Sequence, residues 1–282
     1  MGRVLRRAVG IIGLVSVTPG VAIQPSIASA DPVEVASTRA LSAPAVAWNG
    51  NNGLAVWSER RNGDADIWGQ LLQIGGAPSS QIFLVARAPG DQTSPRVAYA
   101  NDKFIVVWED RRSDPLGDIY SNEVGYFGPV NDAAGRPVSA TANLAEVGPV
   151  VASSLNTVLV AWSRGAANSD VVARRLRLDG SPLGSVFVVS AAQRSQSSVS
   201  LAHRAGAFFA AWSDNRSGSS FDIYGSRISA SGTALDAGGI RINDGVGHQT
   251  RPSVAGSNGG YYAVWEASRS TGRTSSARPS PT

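Results

Sequence analysis

The chain is predicted to be an all-β protein, a β-propeller of five blades with four antiparallel strands in each. A Pro-x-Val-Ala pattern or a close variant occurs five times, and a tryptophan follows its third position by eleven residues. The distances from one such tryptophan to the next are 51, 54, 50 and 53 residues. Repeats of about 40–50 residues built from short strands are typical of propeller blades. The five pairs are Val46/Trp57, Val97/Trp108, Val151/Trp162, Leu201/Trp212 and Val254/Trp265.

The second repeat shows the four strands of one blade most clearly. Residues Arg96–Tyr99 form a short first strand, and a turn dipeptide, Asn101-Asp102, follows it. The β-branched and aromatic run Lys103–Trp108 is the second strand. The third strand is Asp118–Val124, and the fourth lies around Val138. We name these strands A, B, C and D in every blade.

The other copies fit the same frame. Their B strands are nearly continuous apolar runs, which favours strands buried on both faces between neighbouring blades. Strand C begins with an aspartate in four repeats, at intervals of 52 residues. These aspartates are Asp66, Asp118, Asp170 and Asp222.

The two ends of the chain predict how the ring closes. The fifth copy has strands A and B but no clear strand C after Glu266. Residues Val33–Ala36 resemble an orphan strand D, so the N-terminal strand is predicted to complete the last blade and remove an exposed sheet edge. The alternatives are a chain truncated from a longer propeller and one whose last segment has diverged from the repeat. The predicted domains are a signal peptide (1–30), the propeller (31–268) and a disordered basic tail (269–282).

The first thirty residues predict secretion. Arg3, Arg6 and Arg7 precede the apolar stretch Ala8–Val17, and Ala28–Ala30 is an A-x-A cleavage site. The apolar stretch is too short for a membrane helix, and no later segment is long and apolar enough for one. The chain has no cysteine, so it has neither disulfides nor thiolate metal ligands.

The composition bears on whether the protein binds nucleic acid or a metal ion. The formal net charge is +4, but residues 31–268 carry 19 basic and 21 acidic side chains. Such a domain lacks the concentrated basic face that nucleic-acid binding requires. His203 and His248 are the two histidines, and neither spacing predicts a metal site. We therefore expect a monomer without metal or other cofactor.

The repeat pattern also resembles a known group of proteins. The order P-x-V-A, then V-W-x-[DE]-x-R, then D-I-Y-G is similar to the repeats of secreted bacterial β-propeller proteins, mostly of unknown function. Trp108–Arg112 and Phe221–Gly225 are the clearest instances. The third repeat departs from the pattern, with Arg164 and Ala166 in place of the acid and the arginine. The resemblance implies the propeller fold and no particular chemistry.

An acid and an arginine follow strand B in three repeats. The pairs Glu59/Arg61, Asp110/Arg112 and Asp214/Arg216 lie two and four residues after their tryptophan. Acid–base catalysis needs carboxyl groups in unlike environments, whereas residues copied in every blade have like ones. We therefore interpret each pair as a charged clasp within its B–C loop.

A glutamine precedes strand A in three repeats. Gln92, Gln196 and Gln249 share this position, and Glu146 occupies it in the third repeat. Because the D–A and B–C loops emerge on one face of a four-stranded blade, these residues and the clasps ring one rim. Two interpretations stay open: a polar pocket in each blade, or a hydrogen bond that seals the junction between blades.

Two aromatic features do not follow the repeat. Trp48 lies near a turn after strand A. It is interpreted as a residue that packs in the core or at the rim, or as a platform on which a sugar stacks. Tyr126-Phe127 lies in the longest C–D connection and is the best candidate for an exposed contact surface.

Two functions from different classes remain. The first is a secreted, non-catalytic propeller that binds a glycan or a protein surface through the loops of the D–A and B–C rim. The alternative is a propeller-type glycoside hydrolase acting on an extracellular polysaccharide, which should place three non-equivalent acids in the central funnel. The predicted A strands carry no acid, so binding without catalysis is preferred and no catalytic residue is assigned. The ligand-binding candidates are Gln92, Asp110, Arg112, Gln196, Asp214, Arg216 and Gln249.

Overall fold

The fold is the predicted all-β propeller of five blades. The computed structural model describes residues 41–130, 132–243, 245–269 and 272–273. Each regular element in these ranges is a strand, and the strands form five antiparallel sheets in chain order. No described segment forms a helix of the length and apolarity that a membrane span requires. The predicted signal peptide and closing strand lie outside the described residues.

The first four sheets have four strands each, and the fifth has three among the described residues. Blade 1 consists of β1 (Leu41–Trp48), β2 (Gly53–Asn62), β3 (Asp64–Leu72) and β4 (Phe83–Ala86). Blade 2 consists of β5 (Gln92–Ala100), β6 (Lys103–Asp110), β7 (Asp118–Val124) and β8 (Arg136–Ser139). Blade 3 consists of β9 (Glu146–Ser153), β10 (Val158–Arg164), β11 (Asp170–Leu176) and β12 (Pro182–Ser190). Blade 4 consists of β13 (Gln196–Arg204), β14 (Ala207–Asp214), β15 (Asp222–Ser229) and β16 (Ile240–Arg241). Blade 5 consists of β17 (His248–Ser257), β18 (Gly260–Arg269) and β19 (Gly272–Arg273).

The first strand of each blade is longer than the sequence predicts, because it continues through a β-bulge. The ladder between first and second strands shifts register in all five blades. One residue in each bulge has a positive φ, for example 54° at Ser94, and proline follows it in four blades. Proline has no N–H for the ladder, and a bulge is a position in a sheet that tolerates it. The bulged residues are Ala43, Ser94, Gly148, Ser198 and Arg251.

The core lies between the blades and not within one central layer. Apolar side chains from each of the first four blades form a cluster with those of the next blade. In blades 2 to 5 the tryptophan of the second strand packs against the preceding blade, and Trp108, Trp162 and Trp212 are completely buried. The first strands of successive blades contact each other from β1 through β17, so they form the inner wall of the ring. This arrangement brings the bulges together at one end of that wall.

The junction between blades 5 and 1 differs from the other four. Val264 is 48% exposed, although Val107 at the same position of blade 2 is completely buried against blade 3. Val46 of blade 1 is 64% exposed on the face that its counterpart Val97 packs against the preceding blade. The described residues therefore leave two apolar faces uncovered where the ring should close.

We expect Trp108→Ala to lower the free energy of unfolding by about 3–5 kcal/mol, since it removes a large, completely buried aromatic side chain. Chemical denaturation followed by fluorescence measures the change. Trp48→Ala is the matched control, because Trp48 is 44% exposed and should cost much less. Equal costs for the two variants would contradict the assignment of the core.

Closure of the ring by Val33–Ala36 stays a prediction. Deletion of residues 31–37 should destabilise the whole propeller, because it would leave the edge of blade 5 unpaired. Deletion of residues 274–282 should have little effect, since this segment has almost no apolar side chain to bury. Thermal melting of the two truncated proteins tests the prediction, and the reverse order of stabilities would refute it.

Candidate functional site

The repeated tryptophan, carboxylate and arginine form one hydrogen-bonded chain in each blade that has all three. The Trp108 indole N–H donates to Asp110 Oδ2 over 2.8 Å. Arg112 donates to the same carboxylate through Nε, at 2.8 Å from Oδ1, and through Nη2, at 2.6 Å from Oδ2. Trp212, Asp214 and Arg216 repeat this geometry in blade 4. Each carboxylate therefore satisfies a buried indole and a guanidinium together.

The arginine also explains the aromatic residue of the D-I-Y pattern. Its guanidinium lies over the aromatic ring two residues after the strand C aspartate, 4.0 Å from the Tyr120 centroid for Arg112 and 3.7 Å from the Tyr224 centroid for Arg216. In blade 1 Arg61 lies 3.5 Å from the Trp68 centroid. These cation–π contacts hold the B–C loop against strand C. The clasp interpretation is confirmed, and its partner across the loop is the aromatic ring.

Blades 3 and 5 lack the acid two residues after the tryptophan, and a residue at the start of their first strand replaces it. Trp162 donates to Glu146 Oε1 over 3.2 Å, and Trp265 donates to Gln249 Oε1 over 2.9 Å. Gln92 and Gln196 instead bond backbone groups of the preceding loop, such as Gly90 and Arg194. Of the two interpretations of this position, the structure favours the seal between blades.

The seven predicted ligand-binding residues are therefore mostly unavailable to a ligand. Gln92, Asp110, Gln196, Asp214 and Gln249 are all buried. The side chains of the two arginines are 18% and 26% exposed and are already bound to their carboxylates. These residues lie on the rim that the sequence predicts, but the packing of one blade against the next buries their side chains. The two partly exposed arginines are Arg112 and Arg216.

Three glutamates lie beside the bulges at the inner end of the same face. Glu109 Oε1 accepts the N–H of the bulge residue Gly148 over 2.7 Å, and Glu266 pairs with the bulge residue Arg251 over 3.1 Å. Glu146 opens β9, two residues before Gly148. The prediction that the first strands carry no acid is wrong, because the bulge lets β9 extend back to Glu146. An acid three residues before the proline was the signal in the sequence.

The environments of these three glutamates differ. Glu266 is 53% exposed, whereas Glu109 and Glu146 are buried. Burial raises the pKa of Glu146 above its ordinary value, and the charge of Asp118 acts in the same direction. Hydrogen bonds from Ser139 and Trp162 act against this shift. Carboxyl groups at one end of the ring are thus held in unlike surroundings.

A polar cleft of about 330 Å³ opens between blades 4 and 5 on this face. The Arg251–Glu266 ion pair lies in it, together with hydroxyl groups from both blades. The cleft reaches the bulges of β13 and β17, so it adjoins the inner wall of the ring. Its lining residues are Ser197, Ser198, Ser213, Phe221, Thr250, Arg251, Glu266, Ala267 and Ser268.

The opposite face carries the predicted exposed aromatic residues. Phe127 is 98% exposed and Tyr126 is 40% exposed, which confirms their position on the surface. The Asn49 side-chain amide donates to the Tyr126 hydroxyl over 3.0 Å and ties this C–D connection to blade 1.

Comparisons with known proteins bear on the fold. No protein-family model matches the chain, and no curated protein matches it significantly. Among solved structures, the endo-arabinase from Bacteroides thetaiotaomicron VPI-5482 has a TM-score of 0.54 at 13% identity, over 89% of this chain and 97% of that one. An α-L-arabinofuranosidase from Lactobacillus brevis has a TM-score of 0.50 at 10% identity, over 85% and 90% of the two chains. Both similarities extend over nearly the whole propeller.

These findings correct the preferred function. The prediction of a secreted, non-catalytic binding propeller is contradicted, because the two solved structures described above, which share the fold, are those of glycosidases. The alternative from the sequence, a propeller-type glycoside hydrolase, has the better support. The preference for binding also depended on the absence of an acid from the predicted first strands, whereas β9 begins at the buried residue Glu146. The resemblance to secreted bacterial propeller repeat proteins stays a prediction.

We expect Asp214→Ala to destabilise the protein by about 3–5 kcal/mol, since it leaves the Trp212 indole and the Arg216 guanidinium without their shared acceptor. Glu123→Gln is the control. It breaks the partly exposed ion pair between Lys103 and Glu123 and should cost about 0–1 kcal/mol. Urea denaturation measures both changes. A cost below 1 kcal/mol for Asp214→Ala would show that the clasp contributes little.

Proposed function

We propose that the protein is a glycoside hydrolase that acts on an extracellular polysaccharide containing arabinose. The observation that carries the proposal is the correspondence of the whole propeller to the endo-arabinase, which covers 97% of that enzyme's chain. The similarity to the α-L-arabinofuranosidase supports the same class of sugar. The predicted signal peptide supports an extracellular substrate.

Hydrolysis of a glycosidic bond requires a pair of carboxyl groups on either side of the bond. One group protonates the leaving oxygen, and the other acts as a base toward water or as a nucleophile toward the sugar. Glu109 and Glu266 are the candidates, because both lie beside the bulges at the inner end of the ring, in blades 2 and 5. Their surroundings differ, as the two roles require: Glu109 is buried, and Glu266 is exposed in the cleft.

The cleft between blades 4 and 5 provides the polar surface that a sugar requires. Ser198 and Thr250 offer hydroxyl groups, which both donate and accept hydrogen bonds. Arg251 fixes the Glu266 carboxylate from one side through a single guanidinium nitrogen. The remaining lone pairs of the two Glu266 oxygens can therefore accept hydrogen bonds from sugar hydroxyl groups without loss of the ion pair.

The test is hydrolysis by the mature protein, residues 31–282, of linear arabinan, arabinoxylan and aryl α-L-arabinofuranosides. Release of reducing ends or of the aryl group measures activity. We expect Glu266→Gln and Glu109→Gln each to lower kcat/KM by about 10²–10⁴-fold, since each removes an acid–base or nucleophilic group. Thermal melting of both variants establishes that they remain folded.

Glu123→Gln is the matched control, because Glu123 is an ion-paired glutamate at the opposite end of blade 2. It should retain full activity. The proposal is overturned if the folded wild-type protein cleaves none of these substrates. Activity that survives in both Glu266→Gln and Glu109→Gln would place the reaction elsewhere in the ring.

A further inference from the structure

Two buried carboxyl groups meet at the junction of blades 2 and 3. Asp118 opens β7 and Glu146 opens β9, and they are 1% and 0% exposed. The Glu146 N–H donates to the carbonyl oxygen of Gly117, the residue before Asp118, over 3.1 Å. The charge of Asp118 contributes to the raised pKa of Glu146, as expected for neighbours. The chain therefore buries two acids side by side.

Three of their four carboxylate oxygens lack a hydrogen bond. Glu146 Oε1 accepts from the Ser139 hydroxyl over 2.7 Å and from Trp162, but no described group donates to Glu146 Oε2. Both oxygens of Asp118 are buried without a hydrogen bond of regular geometry. The Ser113 hydroxyl and the Thr141 N–H lie near enough to lower its pKa, yet burial, reinforced by Asp114, raises it. Buried carboxylate oxygens in this state are costly unless something else binds them.

The equivalent positions of other blades carry a compensating charge. In blade 1, Asp66 pairs with Arg87 over 2.9 Å, and in blade 4, Asp222 pairs with Arg241 over 2.9 Å. Ala86 of blade 1 and Ser139 of blade 2 occupy the same position of the ladder between third and fourth strands. Arg87 follows Ala86, so its counterpart in blade 2 is Ala140. Blade 2 thus has the aspartate without the arginine.

The second acid adds to this imbalance. The position of Glu146 is a neutral glutamine in three other blades: Gln92, Gln196 and Gln249. Arg164 lies opposite Glu146 in the ladder and lowers its pKa through its charge, but none of the described ion pairs joins the two. The junction of blades 2 and 3 therefore places two acids together, where the junctions of blades 1 and 2, 3 and 4, and 4 and 5 each have one aspartate and one glutamine.

We propose that Asp118 and Glu146 bind a calcium ion at this junction. Three carboxylate oxygens without a hydrogen bond of regular geometry are hard donors, and two carboxylates balance the charge of a divalent cation. No third His, Cys, Asp or Glu joins the pair among the described residues, so the other ligands are carbonyl oxygens and water. Calcium accepts such an irregular set more readily than magnesium, which demands near-octahedral geometry. The ion would tie blade 2 to blade 3, whether or not the protein is a hydrolase.

Terbium luminescence tests the site directly. Trp162 is hydrogen-bonded to Glu146, so excitation of this tryptophan should sensitise a terbium ion bound beside it. In the mature protein freed of metal with EDTA, we expect emission that rises with terbium and falls when calcium displaces it. Calcium at about a hundred times its Kd should also raise the Tm by about 5–10 °C.

Three variants separate this site from non-specific binding. Glu146→Gln introduces the residue of the other blades, and Ala140→Arg introduces the arginine of blade 1. Both should abolish the terbium signal and the calcium-dependent rise in Tm while the protein stays folded. Asp170→Asn should leave both intact, because Asp170 opens the third strand of blade 3, next to a junction with a neutral glutamine.

Three results would overturn the proposal. The first is a wild-type protein that shows neither the terbium emission nor the calcium-dependent rise in Tm. The second is a Glu146→Gln variant that shows both. The third is a wild-type protein whose Tm calcium does not change, and whose free energy of unfolding falls as pH rises from the unfolded pKa of Glu146 through its raised folded pKa. That result would show that the two acids share a proton. None of these results bears on hydrolysis, which is measured with Glu109 and Glu266.

Discussion

The structure depends on one repeated tryptophan per blade, buried in the first four blades and half-buried in the fifth, whose indole N–H must keep a hydrogen-bond acceptor. A buried indole without an acceptor loses the hydrogen bond that it made with water. In blades 2 and 4 an aspartate two residues later provides the acceptor, and an arginine and a tyrosine then hold the aspartate in place. One requirement thus generates the whole W-x-[DE]-x-R and D-I-Y pattern.

The same requirement explains the exceptions. Where the acid is absent, in blades 3 and 5, the acceptor comes from the neighbouring strand, as Glu146 or Gln249. These side chains reach the tryptophan because the first strand extends through its bulge to the rim. The bulge, in turn, accommodates the proline that begins the repeat pattern. Sequence features that lie far apart in a repeat therefore meet at one place in the blade.

Junctions that differ from this rule are the places where chemistry is expected. Between blades 2 and 3 the rule leaves two buried acids that none of the described ion pairs includes. Between blades 4 and 5 a cleft leaves Arg251 and Glu266 accessible. Identical junctions can only hold the ring together, whereas a departure in one blade creates a group with its own environment. The candidate sites are accordingly single and do not repeat in every blade.

The sequence by itself determined the propeller, the number of blades and the strands B and C. These depend on local periodicity and on spacings near 52 residues, which survive without any knowledge of packing. It also determined the clasp, because its residues are close in the chain. Only the tertiary structure decided which polar residues are accessible. In the sequence, Gln92 and Asp110 cannot be distinguished from exposed rim residues, but the packing of one blade against the next buries them. The tertiary structure also decided that Glu109 of blade 2 reaches the bulge residue Gly148 of blade 3, because no spacing along the chain records which side chain meets the neighbouring blade.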